Sequence, residues 1–251
     1  KITALGTWVH FIDEQGKEET ERHSATEPAV IAWEFCMGNI IWHPTMMIRR
    51  QWLEKVGNYD ETFQVAQDFD LWSRLFRAGG WVMVLPEVLL YYRWSPEQIS
   101  RKNRGRQRQA VIKIMQQHIA WLTGIMPDQK VIECICHLGE GAKNYNYQMS
   151  SQALKLLLKS LRNLEEQADA KVVQMLRETA FSRFFQWAEC LTPDHVGTAF
   201  RCVKTAVYAH PCVLFRHNFY RQIARLFLRT FPKINNFRKH FGLHFKSHIT
   251  N

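Results

Sequence analysis

Hydrophobic residues in the first hundred positions recur at strand spacing in some stretches and at helix spacing in others. Residues 2–12 form an apolar, β-branched run that predicts a strand. A Gly-Asn turn and a His-Pro step precede a second apolar run, which ends in Arg49-Arg50 and predicts a buried strand. Because the residue before a proline avoids the helical region, we expect extended backbone at His43.

Two further strands and one short helix belong to the same pattern. Residues 81–85 and 88–94 lie on either side of Pro86 and are rich in β-branched and aromatic residues, which favours two short strands. Residues 51–56 predict a brief helix that stops at Gly57-Asn58. Strands and helices therefore alternate in this part of the chain.

The clearest helix of this part begins with a pair of carboxylates. Apolar residues recur at helical spacing over residues 71–76, and Gly79-Gly80 supplies a C-terminal stop. Asp68 lies where a helix start needs an acceptor for free backbone N–H groups, so it is either a cap or a reactive carboxylate held at the helix end. Asp70 lies about 200° further around the helix, so the two carboxylates should not point into one site.

From residue 101 onward the hydrophobic pattern has helix spacing. Predicted helices occupy residues 101–122, 128–138, 151–164, 167–190, 195–209 and 212–231, and Gly and Pro residues separate them. We therefore place a domain boundary near residue 100. Residues 1–100 form a mixed α/β unit, and residues 101–251 form a helical extension.

The last predicted helix, residues 212–231, is amphipathic and basic. Four apolar residues step by four along one face, and three arginines step by four about 200° away. The apolar positions are Phe215, Phe219, Ile223 and Phe227, and the basic positions are Arg221, Arg225 and Arg229. Such a helix suits an anionic membrane surface. The alternative is a helix that packs on the domain and leaves its basic face in solvent.

Charge is distributed unevenly along the sequence. Residues 1–100 carry 9 Lys and Arg against 14 Asp and Glu, whereas residues 101–251 carry 24 against 9. After Asp194 the sequence contains no acidic residue. The second part should therefore attract a polyanion, such as phospholipid head groups, nucleic acid or a phosphorylated substrate.

Composition indicates a globular protein, because 46% of the residues are hydrophobic and nine are Trp. Pro86 and Glu87 interrupt the longest apolar stretch, which is too short to span a bilayer. The six cysteines lack paired zinc-type spacing, which favours buried free thiols in a reducing compartment. The chain starts at Lys1 with a strand and has neither an initiator Met nor a leader, so we expect a fragment whose front is missing.

An ordered series of short motifs runs through residues 38–100. They are Gly38-Asn39, His43-Pro44-Thr45, Arg49-Arg50, Gly57-Asn58-Tyr59-Asp60-Glu61-Thr62-Phe63, Gln67-Asp68-Phe69-Asp70-Leu71-Trp72 and Leu85-Pro86-Glu87-Val88-Leu89-Leu90-Tyr91-Tyr92-Arg93. This series closely resembles the C-terminal half of the catalytic domain of bacterial family 2 glycosyltransferases, which have a GT-A fold. The first strand is similar to the family segment that follows the nucleotide-binding half. The resemblance covers about residues 1–103.

The resemblance implies an α/β fold in which a partial GT-A segment, with a Rossmann-like mixed sheet, precedes an all-α helical extension. It implies an inverting transfer of a sugar from a nucleotide-sugar donor to a glycan or lipid-linked acceptor, in cell-surface polysaccharide biosynthesis. The aspartate of the Gln67-Asp68 step corresponds to the family's general base. Asp68 would therefore take the proton from the attacking acceptor hydroxyl.

The resemblance also suggests further site residues. Those at the acceptor or in the cleft would be Asn39, His43, Asp70 and Trp72, and Arg93 would meet a donor phosphate. A structural role is open for four of these residues. Asp70 would instead support the helix, and Trp72 would pack in the core. His43 would bond backbone, and Arg93 would form an ion pair.

Family members bind their donor through a divalent metal, Mg²⁺ or Mn²⁺, held by an Asp-x-Asp motif. By the resemblance, this motif and the nucleotide-binding strands would precede Lys1, so we expect no metal ligand in this chain and no activity of the chain alone. Relatives often carry His where this chain has Ser95, which puts that position in doubt as a site residue. The enzyme would be cytoplasmic and peripheral at the inner face of the cell membrane, held there by its basic tail.

A second class of function is compatible with the charge pattern. Residues 101–251 would then bind nucleic acid or a protein partner through their basic and aromatic residues, and the binding would weaken steeply with salt. The sequence contains no motif that reads a nucleic-acid groove, so nucleic acid is the weaker expectation. A non-catalytic remnant of a glycosyltransferase is a third possibility.

Overall fold

The computed structural model describes residues 2–93, 104–140, 147–191 and 196–230. These residues form a mixed α/β structure, as predicted. The strands are β1 (Ile2–Ile12), β2 (Glu18–Arg22), β3 (Met47–Ile48) and β4 (Trp81–Arg93). The α-helices are α1 (Pro28–Glu34), α2 (Arg50–Lys55), α3 (Gln67–Arg77), α4 (Arg104–Thr123), α5 (Gln129–Glu140), α6 (Tyr147–Glu165), α7 (Ala170–Leu191), α8 (Val196–Ala209) and α9 (His217–Thr230).

Strand β1 is the centre of a small mixed sheet. It pairs in parallel with β4 along its whole length, from Ile2 opposite Trp81 to Ile12 opposite Arg93. It pairs antiparallel with β3 near its start and with β2 near its end. Because a strand has only two edges, β3 and β2 share the edge of β1 that lies opposite β4.

Strand β4 continues through Pro86, so the prediction of two short strands is wrong. Thr7 of β1 pairs with Leu85, and the next residue of β1 pairs with Val88. Pro86 and Glu87 therefore bulge out of the ladder. A proline has no backbone N–H to donate, and a bulge is one of the few places in a strand where that loss does not break the pairing.

The predicted second strand is also shorter than expected. Only Met47–Ile48 pairs with β1, and residues 43–45 form one turn of 3₁₀ helix. The extended residue that precedes this turn is Trp42 rather than His43. Inside the turn, the Thr45 hydroxyl donates to the Trp42 carbonyl at 2.8 Å.

Helix α3 ends at the glycine pair that the sequence marks as a stop. Gly79 has a φ of +81°, a left-handed conformation that glycine adopts without strain. The N–H groups of Gly79 and Gly80 donate to the carbonyls of Phe76 and Leu75, at 2.9 and 2.8 Å. This paired bonding satisfies two carbonyls of the last turn.

The mixed part and the helical part of the chain share one hydrophobic core. A single cluster of buried residues includes members of β1, α1, α3 and β4 together with members of α4 to α9. Helix α1 lies between the two parts. The Trp33 indole Nε1 donates to the Leu157 carbonyl of α6 at 3.1 Å, and Glu34 pairs with Arg183 of α7 at 2.5 Å. The change from mixed to helical structure occurs near residue 100, but the core continues across it.

A buried histidine connects α4 to α1 and α3. His118 is 0% exposed, and its Nε2 lies 2.8 Å from the Ala32 carbonyl while its Nδ1 lies 3.1 Å from Ser73 Oγ. A carbonyl only accepts, so Nε2 carries the hydrogen and Nδ1 accepts from the serine hydroxyl. Burial, followed by the nearby Arg77 charge, lowers the pKa of His118 to about 4, although the bond to Ala32 opposes this shift. The imidazole is therefore neutral at pH 7.

The last helix begins at His217, later than predicted, because a 3₁₀ helix over Pro211–Phe215 precedes it. Phe215 lies in that turn and is 91% exposed. Phe219 is buried against Phe185 and Val213. The apolar face of this helix therefore packs in part on the protein, while Arg221 is exposed. In the described part of the chain, the structure contains no helix whose length and apolarity suit a membrane crossing.

Candidate functional site

Asp68 lies in the first turn of α3 and is not the cap of that helix. The residue before the helix is Ala66, which has a φ of +57° and contributes no side-chain bond to the free N–H groups. Asp68 is half-buried, and its Oδ2 accepts a hydrogen bond from the Asn39 side chain at 3.0 Å. The N-terminal end of a helix carries partial positive charge and attracts acidic side chains such as this one.

Asn39 is held in position by its own backbone turn. Its Oδ1 accepts from the N–H of Ile41 at 3.0 Å, so its Nδ2 is the atom directed at Asp68. The two side chains are 29 residues apart in the sequence. The structure therefore brings together two residues that the resemblance places in the site, and it leaves Oδ1 of Asp68 without a partner among the described residues.

Three aromatic side chains, one from α3 and two from the segments before it, pack together. The His43 ring lies 5.9 Å from the Tyr59 ring and 5.8 Å from the Trp72 ring, measured between centroids. Burial raises the pKa of the Tyr59 hydroxyl, and the negative charge of Asp68 raises it further. Tyr59 and Asp68 are therefore close enough to interact electrostatically.

Sequence reasoning missed Tyr59 as a site residue. It is part of the motif Gly57-Asn58-Tyr59, which resembles the family pattern without indicating a role for the tyrosine. It belongs to no periodic pattern. Its place in that motif is the signal that could have identified it. Its ring is 37% exposed, so it remains accessible from the surface.

Trp72 lies in the core and does not offer a surface to a sugar. The side chain is 0% exposed, and its Nε1 has no hydrogen-bond partner among the described residues. Of the two roles considered for this residue, the core position is the one observed. The exposed ring at this place is that of His43, which packs against Trp72 from outside.

Asp70 has a different environment from Asp68. It is buried, and its Oδ2 accepts from Nε of Arg74 at 2.7 Å. Arg74 also donates to the Val56 carbonyl, at the end of α2. Asp70 therefore fixes α3 to the preceding helix, which is the supporting role considered for it, and it has no described contact with Asp68.

Arg93 lies at the end of β4 and is exposed. Its Nη1 donates to the carbonyls of Asp13 and Glu14, at 3.0 and 2.8 Å, and so holds the turn between β1 and β2. The neighbouring Tyr92 ring lies 5.9 Å from Trp42, the residue before His43. Arg93 is thus near the same end of the sheet as His43. Ser95 lies outside the described residues.

A small cavity adjoins Asn39 on the side of the helical extension. Its volume is about 170 Å³, and it is lined by Met37 and Ile40, by the Glu34–Arg183 pair and by residues of α5 and α7. Burial raises the pKa of Glu34, although the adjacent Arg183 opposes this shift. The helical extension therefore contributes side chains to the surroundings of Asn39.

The described residues offer no obvious metal centre. No group of three or more His, Cys, Asp and Glu side chains among them has metal-binding geometry. None of the six cysteines, all of which lie in the described residues, forms a disulfide bond. Cys36 and Cys202 are buried, and burial raises the pKa of each thiol to about 12, whereas Cys190 and Cys212 are exposed. The prediction of buried thiols thus holds for only some of the cysteines.

The arrangement around Asp68 has the chemical groups that a proton acceptor needs. A half-buried carboxylate at the positive end of a helix is oriented by a neutral amide and has one oxygen open to a further donor. Such a group can accept a proton from a hydroxyl that lies within hydrogen-bond reach. Comparison of this chain with models of protein families, with characterised proteins and with solved structures finds no match.

Proposed function

We propose that this chain is the acceptor-side half of an inverting, family 2-like glycosyltransferase with a GT-A fold, and that Asp68 is its general base. The observation that carries the proposal is the hydrogen bond between Asn39 and Asp68 at 3.0 Å. It joins two separate motifs of the resemblance at one carboxylate.

Each neighbouring residue has a role in this mechanism. Asp68 takes the proton from the acceptor hydroxyl as the oxygen attacks the anomeric carbon of the nucleotide sugar. Asn39 holds the carboxylate by donating to one oxygen, so the other oxygen receives the proton. The rings of His43 and Tyr59 form the wall beside the carboxylate, where the acceptor sugar would lie.

The donor side of the reaction would come from the family's nucleotide-binding half. A divalent metal, Mg²⁺ or Mn²⁺, bound by that half would neutralise the donor diphosphate. Arg93 remains a candidate for a donor phosphate, and it would then exchange its bonds to the carbonyls of Asp13 and Glu14 for bonds to the phosphate. The acceptor would be a glycan or a lipid-linked glycan of the cell surface.

The test is a glycosyl-transfer assay on the protein that combines this chain with its donor-binding half. We expect Asp68→Asn to lower kcat by roughly 10²–10⁴-fold, because the amide cannot take the proton, while donor binding is unchanged. Asn39→Ala should lower kcat less, since the base is present but loosely held. Glu61→Gln is the matched control, because Glu61 is an exposed carboxylate in the same segment. Unchanged turnover in Asp68→Asn would remove Asp68 as the base.

A further inference from the structure

A cavity of about 520 Å³ lies between the sheet and the helical extension. Its wall includes the end of α3, the start of β4, the end of α6 and the starts of α1 and α7. Phe76, the α3 residue that lines this cavity, is eight residues beyond Asp68, which is about 12 Å along the helix. It is separate from the candidate site, and its volume is within the range of small-molecule sites.

Two exposed tryptophans line this cavity. Trp81, the first residue of β4, is 58% exposed, and Trp121, near the end of α4, is 40% exposed. Phe76 of α3 contributes a third aromatic side chain to the wall. The face of an aromatic ring carries negative charge density and attracts a cation, most strongly in tryptophan.

The electrostatic character of the cavity is negative. The carboxylate of Glu27 has no hydrogen-bond or ion-pair partner among the described residues, and Asp169 also lines the wall. Asp169 accepts from the N–H of Val172 at 2.9 Å through Oδ1 only. The ends of α3 and α6 and the starts of α1 and α7 meet at the cavity, so the partial charges of the helix ends offset one another, and the negative charge of the wall comes from Glu27 and Asp169. The described residues that line the cavity include neither Lys nor Arg.

This combination selects among possible ligands. A sugar needs several donors as well as acceptors from the protein. Apart from the indole N–H groups of Trp81 and Trp121, the polar side chains here are acceptors, namely Glu27, Asp169 and the amide oxygen of Gln167, whose Nε2 is bonded to the Asn163 carbonyl. A metal ion needs oxygen ligands on several sides, which aromatic and aliphatic walls do not supply. A weakly hydrated organic cation satisfies both the aromatic faces and the carboxylates.

We propose that this cavity binds a small organic ammonium ion of the quaternary or methylated class, with Trp81 and Trp121 against its methyl groups and Glu27 as the counter-charge. The proposal does not depend on the glycosyltransferase reaction. It gives the exposed tryptophans a ligand-binding role and assigns a binding function to the junction of the two parts of the chain.

Choline and 3,3-dimethyl-1-butanol test the proposal, because the two molecules have nearly the same shape and only choline is charged. Isothermal titration calorimetry and ¹H NMR of the ligand methyl groups should show choline binding with a Kd of about 1 mM or tighter. The neutral alcohol should bind at least about fivefold more weakly. Equal binding of the two would mean an apolar cavity without cation selectivity, and would overturn the proposal.

Variants then locate the binding. Trp81→Leu, Trp121→Leu and Glu27→Gln should each weaken choline binding by about fivefold or more. Trp52→Leu and Glu87→Gln are matched controls outside the cavity and should leave the affinity for choline unchanged. Circular dichroism verifies that each variant is folded before titration. The proposal would be refuted if choline still bound with unchanged affinity after all three cavity substitutions, or if no choline bound at about 10 mM. Tighter binding of maltose, a neutral sugar, than of choline would also refute it.

Discussion

Lowering the pH from about 8 to about 5 should destabilise this protein through His118, because the structure buries that imidazole in its neutral form. The ring is fully buried, and both of its nitrogens are used, one toward the Ala32 carbonyl and one toward the Ser73 hydroxyl. A second proton on the ring would be placed at Nδ1, where the serine hydroxyl now donates. Protonation would therefore reverse this hydrogen bond, with the serine oxygen now accepting, and would leave a charge in the core.

The size of the effect follows from the two pKa values. Burial, with a smaller contribution from Arg77, lowers the pKa of His118 from 6.5 to about 4 in the folded protein. The unfolded chain therefore takes up a proton at higher pH than the folded chain. The contribution of the neutral His118 to the free energy of unfolding is fully present above pH 6.5 and is lost as the pH falls from 6.5 toward 4. The expected loss is about 2 kcal/mol at pH 5 and about 3 kcal/mol at pH 4.

The measurement is urea unfolding followed by tryptophan fluorescence at a series of pH values. Other groups also titrate in this range, so the relevant quantity is the difference between the parent protein and His118→Gln, which stays neutral throughout. The free energy of unfolding should fall more steeply with acid in the parent than in the variant. Ser73→Ala serves as the control: it lowers stability by about 1–2 kcal/mol at every pH but keeps the titrating ring.

Parallel pH curves for the parent and His118→Gln would refute this reasoning. They would mean that the pKa of His118 is similar in the folded and unfolded chains, and hence that the imidazole is not confined as described. If acid lowered the free energy of unfolding less in the parent protein than in the variant, the predicted direction of the effect would also be wrong. Either result would remove His118 as the neutral link between α4, α1 and α3.

Three further predictions concern stability and surface binding. Arg183→Met should destabilise the fold by about 3 kcal/mol in urea unfolding, because it leaves the buried Glu34 carboxylate without its partner, and adding Glu34→Met should recover much of the loss. Gly80→Ala should cost about 1–3 kcal/mol, since a Cβ there would lie 2.9 Å from the Leu75 carbonyl oxygen, whereas Gly105→Ala, in open space on α4, should be neutral or stabilising. In liposome flotation, more of the protein should be recovered with anionic than with neutral vesicles, because its C-terminal part is basic. Equal recovery with the two kinds of vesicle would refute membrane attraction by charge.

The helices of residues 101–230 could be predicted from sequence because their signals are local. Apolar residues at helical spacing marked each helix, and glycines and prolines marked the connections. The stop at Gly79-Gly80 was equally local, since it depends on glycine alone adopting a positive φ. The largest errors are at helix starts: α6 begins at Tyr147 rather than at residue 151, and α9 begins at His217 rather than at residue 212. Pro211 permits a 3₁₀ turn before that helix, and the apolar pattern continues through the turn without marking the change.

Features set by pairing between distant segments could not be predicted in this way. The bulge at Pro86 depends on the register of β4 against β1, and a proline in a strand-like run otherwise indicates a break. The common core depends on contacts such as that between Trp33 and Leu157, which are 124 residues apart. A boundary near residue 100 was predicted because the charge and the hydrophobic periodicity change there. Neither property indicates which faces of the helices and strands pack together.

The two carboxylates at the start of α3 illustrate the same limit within the candidate site. Helical geometry alone predicts that Asp68 and Asp70 point in different directions, and their partners differ accordingly: an amide for Asp68 and a buried guanidinium for Asp70. Geometry does not say which of the two is free to react. That distinction comes from their partners: Arg74, one turn further along the same helix, neutralises Asp70, whereas the amide of Asn39, 29 residues away in the sequence, orients Asp68 without neutralising it. A general base must retain its negative charge and an open oxygen until the acceptor arrives, and of these two carboxylates only Asp68 combines both properties.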